Sequence, residues 1–122
     1  MNPLVSIIIP AYNAAPWLKE SLDSASHSTY RPLEIIVVDD GSSDRSPEIL
    51  KNLSDELGFR FVHRPNQGVI ATCNELLSYA RGKFYCTFSS DDIMPPNCLA
   101  KQSHFLETHP QAVACFGQVV PM

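Results

Sequence analysis

The chain has no CxxC pair, no cluster of basic residues, and no apolar run long enough to cross a bilayer. Its five glycines form neither GxxxxGK[ST] nor GxGxxG. These absences exclude several function classes. Nine Lys and Arg, scattered singly in a chain of net charge −4, leave no electrostatic footprint for a nucleic-acid polymer. Without a glycine-rich turn, phosphates would not be cradled at a helix N-terminus. Residues 1–20 hold no basic segment followed by an apolar signal core, so export is not expected. The expected location is the cytoplasm, or the cytoplasmic face of a membrane. Cys73, Cys86, Cys98 and Cys115 each lie in a mostly apolar segment and read as buried, reduced thiols. His104 and His109 are five apart on an expected helix and do not share a face. With His27 and His63 near element ends, the four histidines read as structural or surface residues.

What is present is a regular alternation. At 122 residues the chain has room for one domain with one core. LVSIII (4–9) is the near-continuous apolar run of a strand buried on both faces. Asn13 can cap a following helix, with Pro16 in its first turn and Leu18, Leu22 and Ala25 on one face. Residues 31–39 form the next strand. Ser43 can cap a second helix with Ile49, Leu50, Leu53 and Leu57 inside and Gly58 at C′. Residues 59–63 alternate like a strand nearer an edge. Asn66 can cap a third helix that buries Ile70, Cys73, Leu77 and Ala80 and ends at Gly82. Residues 83–88 are a fourth strand. Pro95-Pro96 opens a fourth helix running to about Thr108, and residues 112–117 are a fifth strand. The order βαβαβαβαβ predicts a mostly parallel sheet flanked by helices on both faces.

In such sheets ligands bind beyond the carboxyl ends of the strands. Three of those ends carry suggestive residues: PAYN (10–13), DDGSSD (39–44) and SSDD (89–92). Adjacent like charges, as in Asp39-Asp40 and Asp91-Asp92, need donors, cations or water. Tyr12 offers a flat face for a base or sugar. Asp91-Asp92 is a hard oxygen site for Mg²⁺ or Mn²⁺, and such an ion would neutralise a diphosphate. Each motif also has a plainer reading. Asp39-Asp40-Gly41 can be a turn into a helix. Asp91-Asp92 can be solvated charges before a Pro-initiated helix. Tyr12 and Trp17 can be packing residues.

VSIIIPAYNAAPWLKESLDS, EIIVVDDGSSDRSPEIL, NQGVIATCNELLSYARGKF and FSSDDIMPPNCL, in that order, resemble the family 2 glycosyltransferases with the GT-A fold. The resemblance covers essentially the whole chain. It implies the Rossmann-like, nucleotide-sugar-binding half of that fold across residues 1–122. It implies a nucleotide-sugar donor, UDP-sugar favoured, a divalent metal (Mn²⁺ or Mg²⁺) and transfer with inversion to an acceptor hydroxyl in polysaccharide, lipopolysaccharide or other glycoconjugate synthesis. By resemblance, Pro10, Ala11, Tyr12 and Asn13 line the nucleoside pocket and Asp40 accepts from the base, while Asp39 holds the loop. Gly68 and Asn74, with Asn66, help build the donor side. Ser90 and Asp91 reach the nucleotide sugar, and Asp91 and Asp92 hold the metal. Two positions depart from the family pattern. Ser89 stands where many relatives have Asp, and Cys73 where many have Arg. The family's catalytic carboxylate belongs to a segment with no match here, so no catalytic residue is assigned. The chain is expected to be the donor-binding part of a longer enzyme, with uncovered surfaces through which it could dimerise.

A phosphoacceptor receiver domain is a competing class, also of about this length. It needs an acidic pair after strand one, a phosphorylatable Asp after strand three and a Lys after strand five. PAYN, His63-Arg64-Pro65 and the absence of such a Lys disagree with it. A sugar-nucleotide pyrophosphorylase would need a glycine-rich basic loop after strand one, which is missing. A non-catalytic nucleotide-binding module remains as the other alternative.

Overall fold

A computed structural model describes residues 2–115. In chain order the elements are β1 (Val5–Ala11), α1 (Leu18–Ser26), β2 (Leu33–Asp40), α2 (Ser46–Leu57), β3 (Arg60–Arg64), α3 (Val69–Tyr79), β4 (Phe84–Thr87) and α4 (Cys98–Thr108). The four strands are parallel, in the order β3-β2-β1-β4. β1 is central because its Val/Ile run suits a strand with neighbours on both sides and helices on both faces.

Alternation along β1 splits the core. Val5, Ile7, Ile9 and Ala11 face Leu18, Leu22 and Ala25 of α1, Leu50 and Leu53 of α2, and Leu99 of α4. Ile8, with Ile36 and Val38 of β2, faces Leu76 of α3. The chain steps outward from β1 to β2 to β3, then returns across the sheet to β4. Right-handed crossovers put the returning helix on the opposite face when the direction reverses, and α3 is there. The fold class read from the sequence therefore holds.

Several local expectations do not. None of the anticipated side-chain caps is made: Trp17, Arg45 and Gly68 stand at the N-cap positions. Trp17 is half exposed there. Asn13 and Asn66 instead bond across to other loops, as described below. α3 does not bury Ile70, Cys73, Leu77 and Ala80. Ile70 is 77% exposed and Leu77 40%, while Thr72 and Leu76 are fully buried. Val69, Ile70 and Leu77 thus leave an apolar stripe facing outward. α3 ends at Tyr79, three residues before Gly82. Gly82 is needed for close approach: a Cβ there would lie 2.7 Å from the Phe84 carbonyl oxygen and 2.8 Å from the Leu4 oxygen and the Ser6 nitrogen. Of the expected fifth strand, residues 112–115 are not extended into the sheet, and residues 116 and 117 lie outside the described residues. The four cysteines are free but only partly buried. Burial, with Cys98 and Cys115 nearby, pushes the Cys86 thiol up to about 11, which keeps it unreactive.

Candidate nucleotide-sugar site

β2, β1 and β4 are neighbours, so PAYN, DDGSSD and SSDD all leave from adjacent carboxyl ends. The first two loops are joined to each other. Asn13 adopts φ 49°, a left-handed conformation that Asn tolerates. Its Oδ1 accepts from the Ser43 N–H at 2.9 Å and the Asp44 N–H at 3.3 Å. Its own N–H donates to Ser42 Oγ at 2.8 Å. The next two amides, of Ala14 and Ala15, donate to Ser46 Oγ at 3.0 Å and Asp44 Oδ2 at 3.2 Å. Asp44 also accepts from the Ser46 N–H at 2.8 Å, serving the first turn of α2. Burial pushes the Asp44 carboxyl up, but these hydrogen bonds outweigh it and hold it below the usual range. Pro10 is half-buried and Ala11 fully buried at the end of β1, whereas the Tyr12 ring is 54% exposed at the rim.

The acidic pair ending β2 is buried and fully engaged. Asp39, with no exposure, accepts from the Ser42 N–H at 3.0 Å and Ser42 Oγ at 2.5 Å, and lies 2.9 Å from His63 Nδ1. It holds the loop. Asp40 Oδ1 accepts from Arg64 Nη1 at 2.6 Å and the Gln67 N–H at 2.8 Å. Asp40 Oδ2 accepts from the Gly68 N–H at 3.1 Å and Asn66 Nδ2 at 3.3 Å. A carboxylate offers about four lone-pair sites, so Asp40 is saturated. Its pKa is pushed up by burial but held below the ordinary value by the Gln67 amide and Arg64. Gly68, at φ 96°, delivers its amide into this cluster at the start of α3. Arg64 is committed as well: Nε donates to Glu75 at 2.5 Å and Nη2 to Thr72 at 2.8 Å. It therefore does not supply the basic contact that Cys73 lacks.

The third loop hangs from α1. Buried Ser21 donates to the Ser89 carbonyl at 3.1 Å, and the Met94 N–H donates to Ser24 Oγ at 2.9 Å. Ser90 is buried beneath, while Asp91 and Asp92 are exposed. Ser89 Oγ donates to Asp91. Two exposed carboxylates on one turn are hard oxygen donors that fit a divalent cation. No cluster of three His, Cys, Asp or Glu is found among the described residues. Phosphate oxygens and water would have to complete the coordination shell. Asn74 is exposed on α3, on the side away from Thr72 and Leu76, and no hydrogen bond among the described residues links it to this group.

Reading the sequence alone missed the serines that mount these loops, Ser21, Ser24, Ser42 and Ser46, and the Arg64–Glu75 pair. Ser21 alone carries a sequence signal, polarity on the face of α1 that otherwise buries Leu18, Leu22 and Ala25. A separate cavity of 490 Å³ opens at the amino ends of β2 and β3, with Arg31, Arg60 and Arg81 around it. Each arginine is engaged: Arg31 with the Ser26, Ser28 and Tyr30 carbonyls, Arg60 over the Tyr79 ring, and Arg81 with Glu34.

Several known proteins resemble this chain in sequence or in fold. A glycosyltransferase of Rickettsia prowazekii, itself uncharacterised, is 38% identical over 105 residues, covering 86% of this chain and 32% of that protein. S. aureus TarS in complex with UDP-GlcNAc superposes with a TM-score of 0.79 at 26% identity, over 100% of this chain and 37% of that one. The mannosyltransferase PcManGT of Pyrobaculum calidifontis, in complex with GDP-Man and Mn²⁺, gives 0.77 at 27% identity, over 87% of this chain and 33% of that one. The chain spans less than half the length of these proteins. Residues 6–121 match the glycosyl transferase family 2 profile. With its sheet order, its three converging loops and that match, the chain belongs to glycosyl transferase family 2.

Proposed function

We propose that this chain is the donor-binding part of an inverting, metal-dependent glycosyltransferase that takes a sugar from a nucleotide diphosphate sugar, UDP-sugar favoured, to an acceptor hydroxyl of a glycoconjugate. The observation that carries the proposal is the convergence of an exposed aromatic, Tyr12, and an exposed carboxylate pair, Asp91-Asp92, from the ends of neighbouring strands. Tyr12 stacks on the base, and Pro10, Ala11 and Asn13 form the wall behind it. Asp40 accepts from a base N–H by exchanging the amide of Asn66, whose 3.3 Å contact is the longest of its four. Gly68 borders the donor side and Asp91 faces the ribose and sugar above the buried Ser90, while Asn74, exposed on the outer side of α3, makes no hydrogen bond among the described residues that supports the same role. Asp91 and Asp92 would hold Mn²⁺ or Mg²⁺, which supplies charge neutralisation for the departing diphosphate. With Ser89 neutral, the two aspartates are the charged ligands that this loop offers. The catalytic base is assigned to none of the residues in this chain. We place the reaction in the cytoplasm, where nucleotide-sugar donors would reach it. The supporting likeness is that TarS and PcManGT, which superpose on this chain, are solved with UDP-GlcNAc and with GDP-Man and Mn²⁺.

Calorimetric titration of UDP and GDP, with Mn²⁺ and with EDTA, tests the proposal. UDP binding that needs Mn²⁺ and disappears in Asp91→Ala/Asp92→Ala supports it. Folded protein that binds neither nucleotide in either condition refutes it.

A further inference from the structure

His63 lies on the edge strand β3, beside Asp39 of β2, and its side chain is half exposed. It nonetheless begins an unbroken series of hydrogen bonds leading to the aromatic rim. His63 Nδ1 is 2.9 Å from Asp39 Oδ2. A carboxylate only accepts, so Nδ1 carries the proton. The other oxygen of the fully buried Asp39 takes the Ser42 hydroxyl at 2.5 Å. With its O–H donating to Asp39, that hydroxyl keeps a lone pair to accept the Asn13 N–H, at 2.8 Å. Asn13 is the left-handed residue immediately after Tyr12. The rotamer of Asp39 therefore fixes the Ser42 hydroxyl, and the hydroxyl fixes the turn that presents the Tyr12 ring. Asp39 has one ionisable partner within hydrogen-bond reach among the described residues, and it is His63.

We propose that His63 is a positioning residue for the nucleotide platform, acting through Asp39 and Ser42 on the Tyr12-Asn13 turn. The proposal rests on the donor-site reading given above. Its chemistry predicts which replacements succeed. Asn carries an N–H donor the same number of bonds from Cα as histidine Nδ1, whereas Gln carries it one bond further out. A merely structural role on an edge strand would not rank Asn above Gln, since Asn is the poorer strand former.

The experiment measures two quantities in wild type, His63→Asn, His63→Gln and Ser42→Ala, with thermal unfolding to show that each is folded. One is the affinity for UDP with Mn²⁺. The other is the hydrogen-exchange rate of the Asn13 amide. The expected result is weaker UDP binding in His63→Gln and Ser42→Ala by about fivefold, the worth of one ordinary hydrogen bond, with faster Asn13 exchange in both. His63→Asn should stay near wild type on both readouts. Equal behaviour of Asn and Gln, or Asn13 exchange unchanged in His63→Gln, overturns the proposal. If wild type binds neither UDP nor GDP, the donor-site reading falls. The exchange rates still decide separately whether His63 controls the turn.

Discussion

Arg64 bridges two carboxylates from different elements, Asp40 at the end of β2 and Glu75 on α3, with only 12% of its side chain exposed. Arg64→Met keeps the length of the stem and removes the charge. Two charge-assisted hydrogen bonds are lost, worth ~1.5–3 kcal/mol each. The guanidinium's own desolvation cost disappears with it, which leaves a net loss of ~2–4 kcal/mol. For a domain of this size that lowers the thermal midpoint by about 10 °C. The loss has a pH signature. Asp40 is pushed up by burial but held below its ordinary value by the Gln67 amide and Arg64, and Glu75 is lowered first by Arg64 and then by Tyr79. A carboxyl whose folded pKa is depressed contributes stability above its unfolded value and loses it as pH falls through the folded one. The gap between wild type and Arg64→Met is therefore full at neutral pH and narrows below roughly pH 4, the unfolded carboxyl range. Urea denaturation across this range measures it. A gap that is constant with pH, or smaller than ~1 kcal/mol at neutrality, would refute the bridge as an electrostatic clamp.

Three further outcomes follow from the packing. Gly41→Ala places a Cβ 2.4 Å from the Asn66 nitrogen at φ +72°, and should lower stability in urea by ~2 kcal/mol or more. Leu76→Ala, in the small core under α3, should cost ~2–4 kcal/mol, whereas Ile70→Ala on the outer stripe of the same helix should stay within ~0.5 kcal/mol; equal costs would mean that α3 is rotated. Tyr12→Ala should leave the unfolding midpoint unchanged, because the ring is half exposed, yet weaken UDP binding by ~1–3 kcal/mol, the range for base–aromatic stacking.

The positions of β1 and β2 were legible because their short, β-branched apolar runs suit a strand buried on both faces, whereas the strand expected from residue 112 is not found over 112–115. The neighbours of β1 and β2 then follow from short connections. The face of α3 was not legible. Its outer positions 69, 70 and 77 are as apolar as its inner ones, so periodicity pointed the wrong way. What sets the rotation is polar: Asp40 holds the Gln67 and Gly68 amides, while Arg64 grips Thr72 and Glu75. These contacts join residues from three elements. The same explanation covers Asn13 and Asn66. Each has the chemistry of a helix cap, but a partner across the sheet end satisfies it instead. Pro10 to Asn13, Asp39-Asp40 and Ser89 to Asp92 stand at or just past the carboxyl ends of β1, β2 and β4, while Gly68 is the N-cap of α3 and Asn74 lies within it, and their hydrogen-bond partners could only be read from the fold.

The helix α1 has a mechanical consequence. It begins just past the Tyr12-Asn13 turn, and its Ser21 and Ser24 hold the loop that carries Asp91 and Asp92. The turn itself is pinned from the other side by Ser42, Ser43 and Asp44. One wall of the crevice is thus built in place, at an entropic cost met during folding rather than on binding. The other wall rides on α1. A tilt of that helix would change the distance between the aromatic face and the acidic pair without breaking either loop. Substitutions on the outer side of α1, remote from any ligand, are then a means of adjusting the spacing between a base and a diphosphate.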